Sequence, residues 1–129
     1  MKGRLMGILS AEAELMEIVR LIGSDILPDE QKLVIEISRV IRLGFLQQNA
    51  YHKDDTYVPL KKQREMCKVI LYLYDKAAEV VARAVPMSSV MASGLFDKLV
   101  RVKYDVPNDK LSAFKKYYKM IDVELEKVR

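Results

Sequence analysis

One stretch of this 129-residue chain carries side chains that amphipathic packing does not call for. Phe45-Leu46-Gln47-Gln48-Asn49-Ala50-Tyr51-His52 is followed by Asp55-Thr56-Tyr57, so three consecutive amides lead into a polar connection holding two aromatics. That combination suits a flat heteroaromatic ligand, which needs a ring to stack on and amides to hydrogen-bond its edge. An amide-capped helix end with surface tyrosines has the same composition. Periodicity does not separate the two.

Other chemistry is sparse. His52 lies beside Lys53, Asp54 and Asp55, an arrangement that could orient a general base, although a solvated loop histidine is the simpler reading. Cys67 follows Met66 on an apolar helix with nothing basic and titratable placed to activate it, so it reads as a buried, inert thiol. One His and one Cys exclude an internal disulfide framework and leave too few ligands for a thiolate zinc site or a Ser-His-Asp triad. Gly3, Gly7, Gly23, Gly44 and Gly94 satisfy neither G-x-x-x-x-G-K-[ST] nor G-x-G-x-x-G, so neither familiar loop for cradling phosphates is present. Glu12, Glu14 and Glu17 read as an exposed acidic face. Lys61-Lys62-x-Arg64 and Lys115-Lys116-x-x-Lys119 read as solvated helix faces; with Tyr117 and Tyr118 interleaved, a single-strand stacking platform is the alternative.

The elements that must position these residues are helical throughout. Leu15, Ile18, Val19 and Ile22 form a stripe with a 3.6-residue period, with Ser10 as N-cap and Gly23 at the C-terminal stop. Pro28-Asp29 opens a second helix with the stripe Leu33, Ile37, Val40, Ile41 and Phe45, leaving Arg39 and Arg42 solvated, and this helix weakens near Gly44. Residues 49–58 show no period. Pro59 starts the longest helix, whose stripe runs from Met66 through Val81 to Ala84 and stops at Pro86. Ser88 or Ser89 caps a fourth helix with Met91, Leu95, Leu99 and Val102 inward. After Pro107-Asn108-Asp109 a last helix turns Leu111, Phe114, Tyr118, Ile121, Leu125 and Val128 to one side. The expected fold is all-α: a single bundle of about five helices, without repeats.

Composition agrees. Half the residues are apolar and 31% charged, as in a globular domain rather than a disordered segment. The net charge of +4 is thin for a nucleic-acid binder. It is also polarised: residues 1–58 hold seven basic and nine acidic side chains, residues 59–129 fifteen and nine. Met1-Lys2-Gly3-Arg4 precedes no signal core, because Glu12, Glu14 and Glu17 interrupt the apolar stretch. No segment approaches the roughly 20 apolar residues that span a bilayer, so a cytoplasmic location is expected.

Four motifs occur in order: Ala-Glu-Leu-x-Glu-Ile-Val-Arg-Leu-Ile-Gly at 13–23, Asp-Ile-Leu-Pro-Asp at 25–29, Phe-Leu-Gln-Gln-Asn-Ala-Tyr-His at 45–52, and Asp55-Thr56-Tyr57 with Leu60-Lys61-Lys62-Gln63. Together they resemble the C-terminal helical domain of the catalytic A subunit (alpha chain) of archaeal- and vacuolar-type rotary ATPases. The resemblance carries motifs over residues 10–65 and only a compatible helical pattern beyond. It implies that residues 1–129 are the C-terminal helical-bundle domain of a longer catalytic subunit, whose nucleotide-binding α/β domain is not in this chain. ATP synthesis or hydrolysis would then be coupled by rotation to ion transport, with this fragment alone inactive.

By the same resemblance, Gln48-Asn49-Ala50-Tyr51 corresponds to a family Gln-Asn-Ala-Phe whose aromatic packs on adenine. Asn49, Ala50 and Tyr51 would line the adenine side of an ATP or ADP site, and Mg would be held only by the absent domain. Tyr51 departs from the family Phe but keeps a face to stack on. The implied partners are B subunits of an alternating hexamer and the central stalk, which helix surfaces in residues 59–129 would meet. Nucleic acid is not expected, the membrane is reached only through the complex, and the location is cytoplasmic and peripheral. Two readings stand beside this one: a stand-alone nucleic-acid-binding module using the lysine clusters, and a protein-interaction scaffold that oligomerises through methionine-rich faces.

Overall fold

Gly23 ends the first helix by turning left-handed, with φ +87° and its N–H donating to the Val19 carbonyl at 2.9 Å. The structure is a computed structural model, and it describes residues 2–23, 26–46, 60–102, 106 and 111–128. Six α-helices lie among them: α1 (Lys2–Ile22), α2 (Asp29–Val40), α3 (Leu60–Ala82), α4 (Met87–Met91), α5 (Leu95–Val100) and α6 (Phe114–Lys127). A π-helical turn, Ile41–Leu46, continues α2, and a 3-10 turn, Leu111–Ala113, leads into α6. The all-α bundle holds, with one helix more than expected. The expected fourth helix is divided between α4 and α5 at Gly94, whose φ of 75° breaks the right-handed path. Ser93 closes the break, its Oγ donating to the Val90 carbonyl at 2.6 Å and accepting from the Leu95 N–H at 3.3 Å.

The core forms where the stripes of α2 and α3 meet. Leu33, Ile37, Val40 and Ile41 are buried, as are Met66, Val69, Ile70, Leu73, Ala77, Val80 and Val81. α2 touches α1, α3, α4 and α5, so it is the hub of the bundle. α3 and α6 run parallel: Tyr72 sits beside both Tyr118, with ring centroids 4.9 Å apart, and Asp122, one turn further along. Cys67 is buried, as its neighbours on the apolar helix imply.

Several local expectations are corrected. α1 begins at Lys2, not after Ser10, because Leu5 and Ile8 are buried and Arg4 is bonded to Asp75 of α3. The buried face of α1 therefore runs through Leu5, Ile8 and Glu12, while Ile18 and Ile22 of the expected stripe are exposed. Glu12 is not part of a solvated acidic face. Lys62 is fully buried, whereas Lys61 and Arg64 beside it are exposed, so the first lysine cluster is divided between interior and surface. α3 stops four residues before Pro86, and Pro86 itself, not Ser88 or Ser89, precedes the first turn of α4. Of the two adjacent tyrosines on α6, Tyr117 is buried and Tyr118 half-buried, which removes Tyr117 from any exposed stacking platform.

Candidate functional site

The chain reaches the amide–aromatic run through the π-helical turn at 41–46. π turns widen a helix by one residue and recur at functional sites. Here the turn brings Gly44 against α5: a Cβ at position 44 would lie 3.0 Å from the Leu99 carbonyl oxygen and 3.1 Å from the Val100 Cα. Only glycine permits so close an approach without displacing backbone. The expected weakening of the helix near Gly44 thus has a packing cause. Ser38, one turn earlier, is fully buried, and its hydroxyl has no hydrogen-bond partner among the described residues.

Two arginines brace this approach. Arg42 pairs with Glu12, whose side chain is only 10% exposed, which ties the π turn to α1. Arg39 Nε donates to Glu36 Oε2 and its Nη2 to Asp97 Oδ1, each at 3.1 Å, which ties α2 to α5. Burial alone lowers the Arg39 pKa, but the hydrogen bonds to Glu36 and Asp97 outweigh it and the net shift is upward. Neither arginine is simply solvated, as the period of α2 had suggested. No signal in the sequence pairs Glu12 with Arg42, since the partners belong to separate helices.

Asn49, Ala50 and Tyr51 lie outside the described residues, as does His52. What the structure holds is the frame on either side: the braced π turn that delivers the chain to Gln47, and the start of α3 at Leu60 with buried Lys62 in its first turn. Among the described residues no three His, Cys, Asp or Glu side chains could jointly hold a metal ion. No helix among them is long and apolar enough to cross a membrane.

A family model, the C-terminal domain of V and A type ATP synthase, matches residues 1–91, from α1 through α4. The chain belongs to this family.

Relatives of the V and A type ATP synthase C-terminal domain extend the match into the later helices. The chain is 44% identical over 115 residues to V-type ATP synthase alpha chain 2 of Clostridium tetani (strain Massachusetts / E88), covering 89% of this chain and 19% of that one. It is 41% identical over 115 residues to the V-type ATP synthase alpha chain of Halothermothrix orenii, covering 89% and 20%. Against the A subunit of the A-type ATP synthase of Methanopyrus kandleri it is 40% identical over 129 residues, covering 99% and 22%. The chain thus spans about a fifth of the length of the curated relatives it matches.

Proposed function

We propose that this chain is the C-terminal helical domain of the catalytic A subunit of a rotary ATPase, and that it completes the adenine side of the nucleotide pocket through Asn49, Ala50 and Tyr51. The observation that carries this reading is the Gln48-Asn49-Ala50-Tyr51 run in a member of the V and A type ATP synthase C-terminal domain family, positioned just after a braced π turn. The donor set fits adenine: an aromatic face for the ring, an amide for its edge, and a small residue that lets the base come close. Phosphates and Mg are left to the upstream α/β domain, so the fragment alone is inactive. In the full-length subunit, ATP turnover would be coupled by rotation to ion transport, with B subunits as neighbours and the complex peripheral to the membrane.

The stalk-facing surface is better sought at the turn between α1 and α2 than on residues 59–129. Leu21 is 84% exposed, and Ile22 and Ile26 are 58% and 61% exposed. Among the described residues of 59–129 only Val123 is a comparably exposed large apolar side chain. Apolar side chains grouped in solvent mark a surface that another protein covers.

The nucleotide reading is tested with Tyr51→Ala and Tyr51→Phe in the full-length subunit, measuring ADP affinity and the Michaelis constant for ATP. Loss of the ring should weaken binding by about 1–3 kcal/mol, on the scale of base stacking in single strands. The Phe variant should bind as the parent does. Unchanged affinity in the Ala variant would overturn the adenine role.

A further inference from the structure

The two basic clusters lie far apart in the chain, but the parallel course of α3 and α6 sets their first turns side by side. Between them runs a groove of about 380 Å³ with Lys61, Arg64, Lys68 and Lys115 on its walls. Phe114 and half-buried Tyr118 give it an apolar floor. Its one carboxylate, Glu65, is engaged by Lys68 at 3.5 Å. Among the described residues, Lys61, Arg64 and Lys115 have no carboxylate partner. A pocket at the opposite end of the same seam has a lining of the reverse sign: Glu79, Asp122 and Glu126 line it with Lys76.

We propose that the basic groove between α3 and α6 docks an acidic, amphipathic protein segment. Cationic walls over an apolar floor match a segment that places carboxylates outward and an aliphatic residue inward. The polarity of the seam fixes register, because carboxylates are attracted at one end and repelled at the other. Nucleic acid suits the groove less well: a phosphate backbone calls for a continuous basic stripe, whereas here the seam turns acidic within a few helical turns. The proposal is independent of the adenine reading, since it uses none of the residues at 47–59.

The probe is a synthetic peptide of alternating Glu-Glu-Leu composition, titrated into the 15N-labelled 129-residue chain at low ionic strength. Amide shifts should concentrate at residues 61–68 and 112–118. Lys115→Glu combined with Arg64→Glu should weaken the dissociation constant about tenfold or more. Arg83→Glu combined with Lys127→Glu makes the same change in net charge at positions that do not line the groove and should alter affinity by no more than about twofold. Lys115→Gln alone, a mild change at an exposed position, should weaken binding measurably if the double variant unfolds. Equal weakening by the two pairs would mean non-specific attraction and would overturn the proposal. So would shifts mapping outside the groove, or tighter binding of a single-stranded oligothymidylate of matched charge.

Discussion

Gly44 rests directly on the backbone of Val100: a Cβ at position 44 would stand 3.1 Å from both the Cα and the carbonyl oxygen of Val100. The neighbours are main-chain atoms, which cannot swing aside as a side-chain tip can. Gly44→Ala must therefore move the π turn off α5. A destabilisation of about 1–3 kcal/mol is expected, typical of forced overpacking, and urea unfolding followed by circular dichroism would measure it. An unchanged midpoint would show that the contact yields freely.

Glu12 and Arg42 form an unequal pair, the carboxylate nearly buried and the guanidinium about half exposed. Removing Arg42 strands the buried partner, whereas removing Glu12 leaves a cation that water can solvate. Arg42→Ala should cost about 1–3 kcal/mol and Glu12→Ala less, with the difference read from a double-mutant cycle. Equal costs would argue that the carboxylate is reached by solvent.

Ala84 carries φ +69° just beyond α3, a conformation that glycine adopts freely and alanine does not. Its N–H still bonds the Val81 carbonyl at 3.0 Å, so the turn is well formed despite the residue. Ala84→Gly should raise stability by about 1 kcal/mol, seen as a rise of about 3–5 °C in Tm. A fall in Tm would mean that the methyl makes a compensating contact.

Tyr72 donates from its hydroxyl to Asp122 Oδ1 at 2.5 Å, joining α3 to α6. That hydrogen bond, then burial, then the charge of Asp122, push the phenol from its ordinary 10.0 up to about 12. A raised tyrosine pKa means that the folded state holds its proton more firmly than the unfolded chain. The contribution to stability is thus full below pH 10 and lost as the pH climbs from 10 to about 12. Phenolate absorbance should reveal late-titrating tyrosine, and Tyr72→Phe should remove its latest component and flatten the loss of stability across that window. Tyr118 beside it is also raised, by burial first and by the charge of Glu65 second, so the Phe variant is needed to assign the signal.

Some of this protein is written in local chemistry that the chain carries wherever it folds. The stop at Gly23 and the start at Pro28-Asp29 depend only on neighbouring backbone, and both stand as the sequence implies. The buried stripes of α2 and α3 were legible for a related reason: they are long, regular and almost free of charge. The amide–aromatic run stands out in the sequence because amphipathic packing does not call for it, and its site residues Asn49, Ala50 and Tyr51 lie outside the described residues.

Tertiary structure alone decided what covers each face. Periodicity reports that a helix has an apolar side but not which residues a neighbour reaches, and α1 shows the difference. Its N-terminal turns are buried by α2 and α3, while Leu21 and Ile22 are left in solvent. Long-range partners are equally invisible along the chain, because electrostatic and steric energies depend on distance in space. Glu12 with Arg42, Gly44 against Val100, and Lys61 and Arg64 brought to one groove with Lys115 all exist only once the helices have packed.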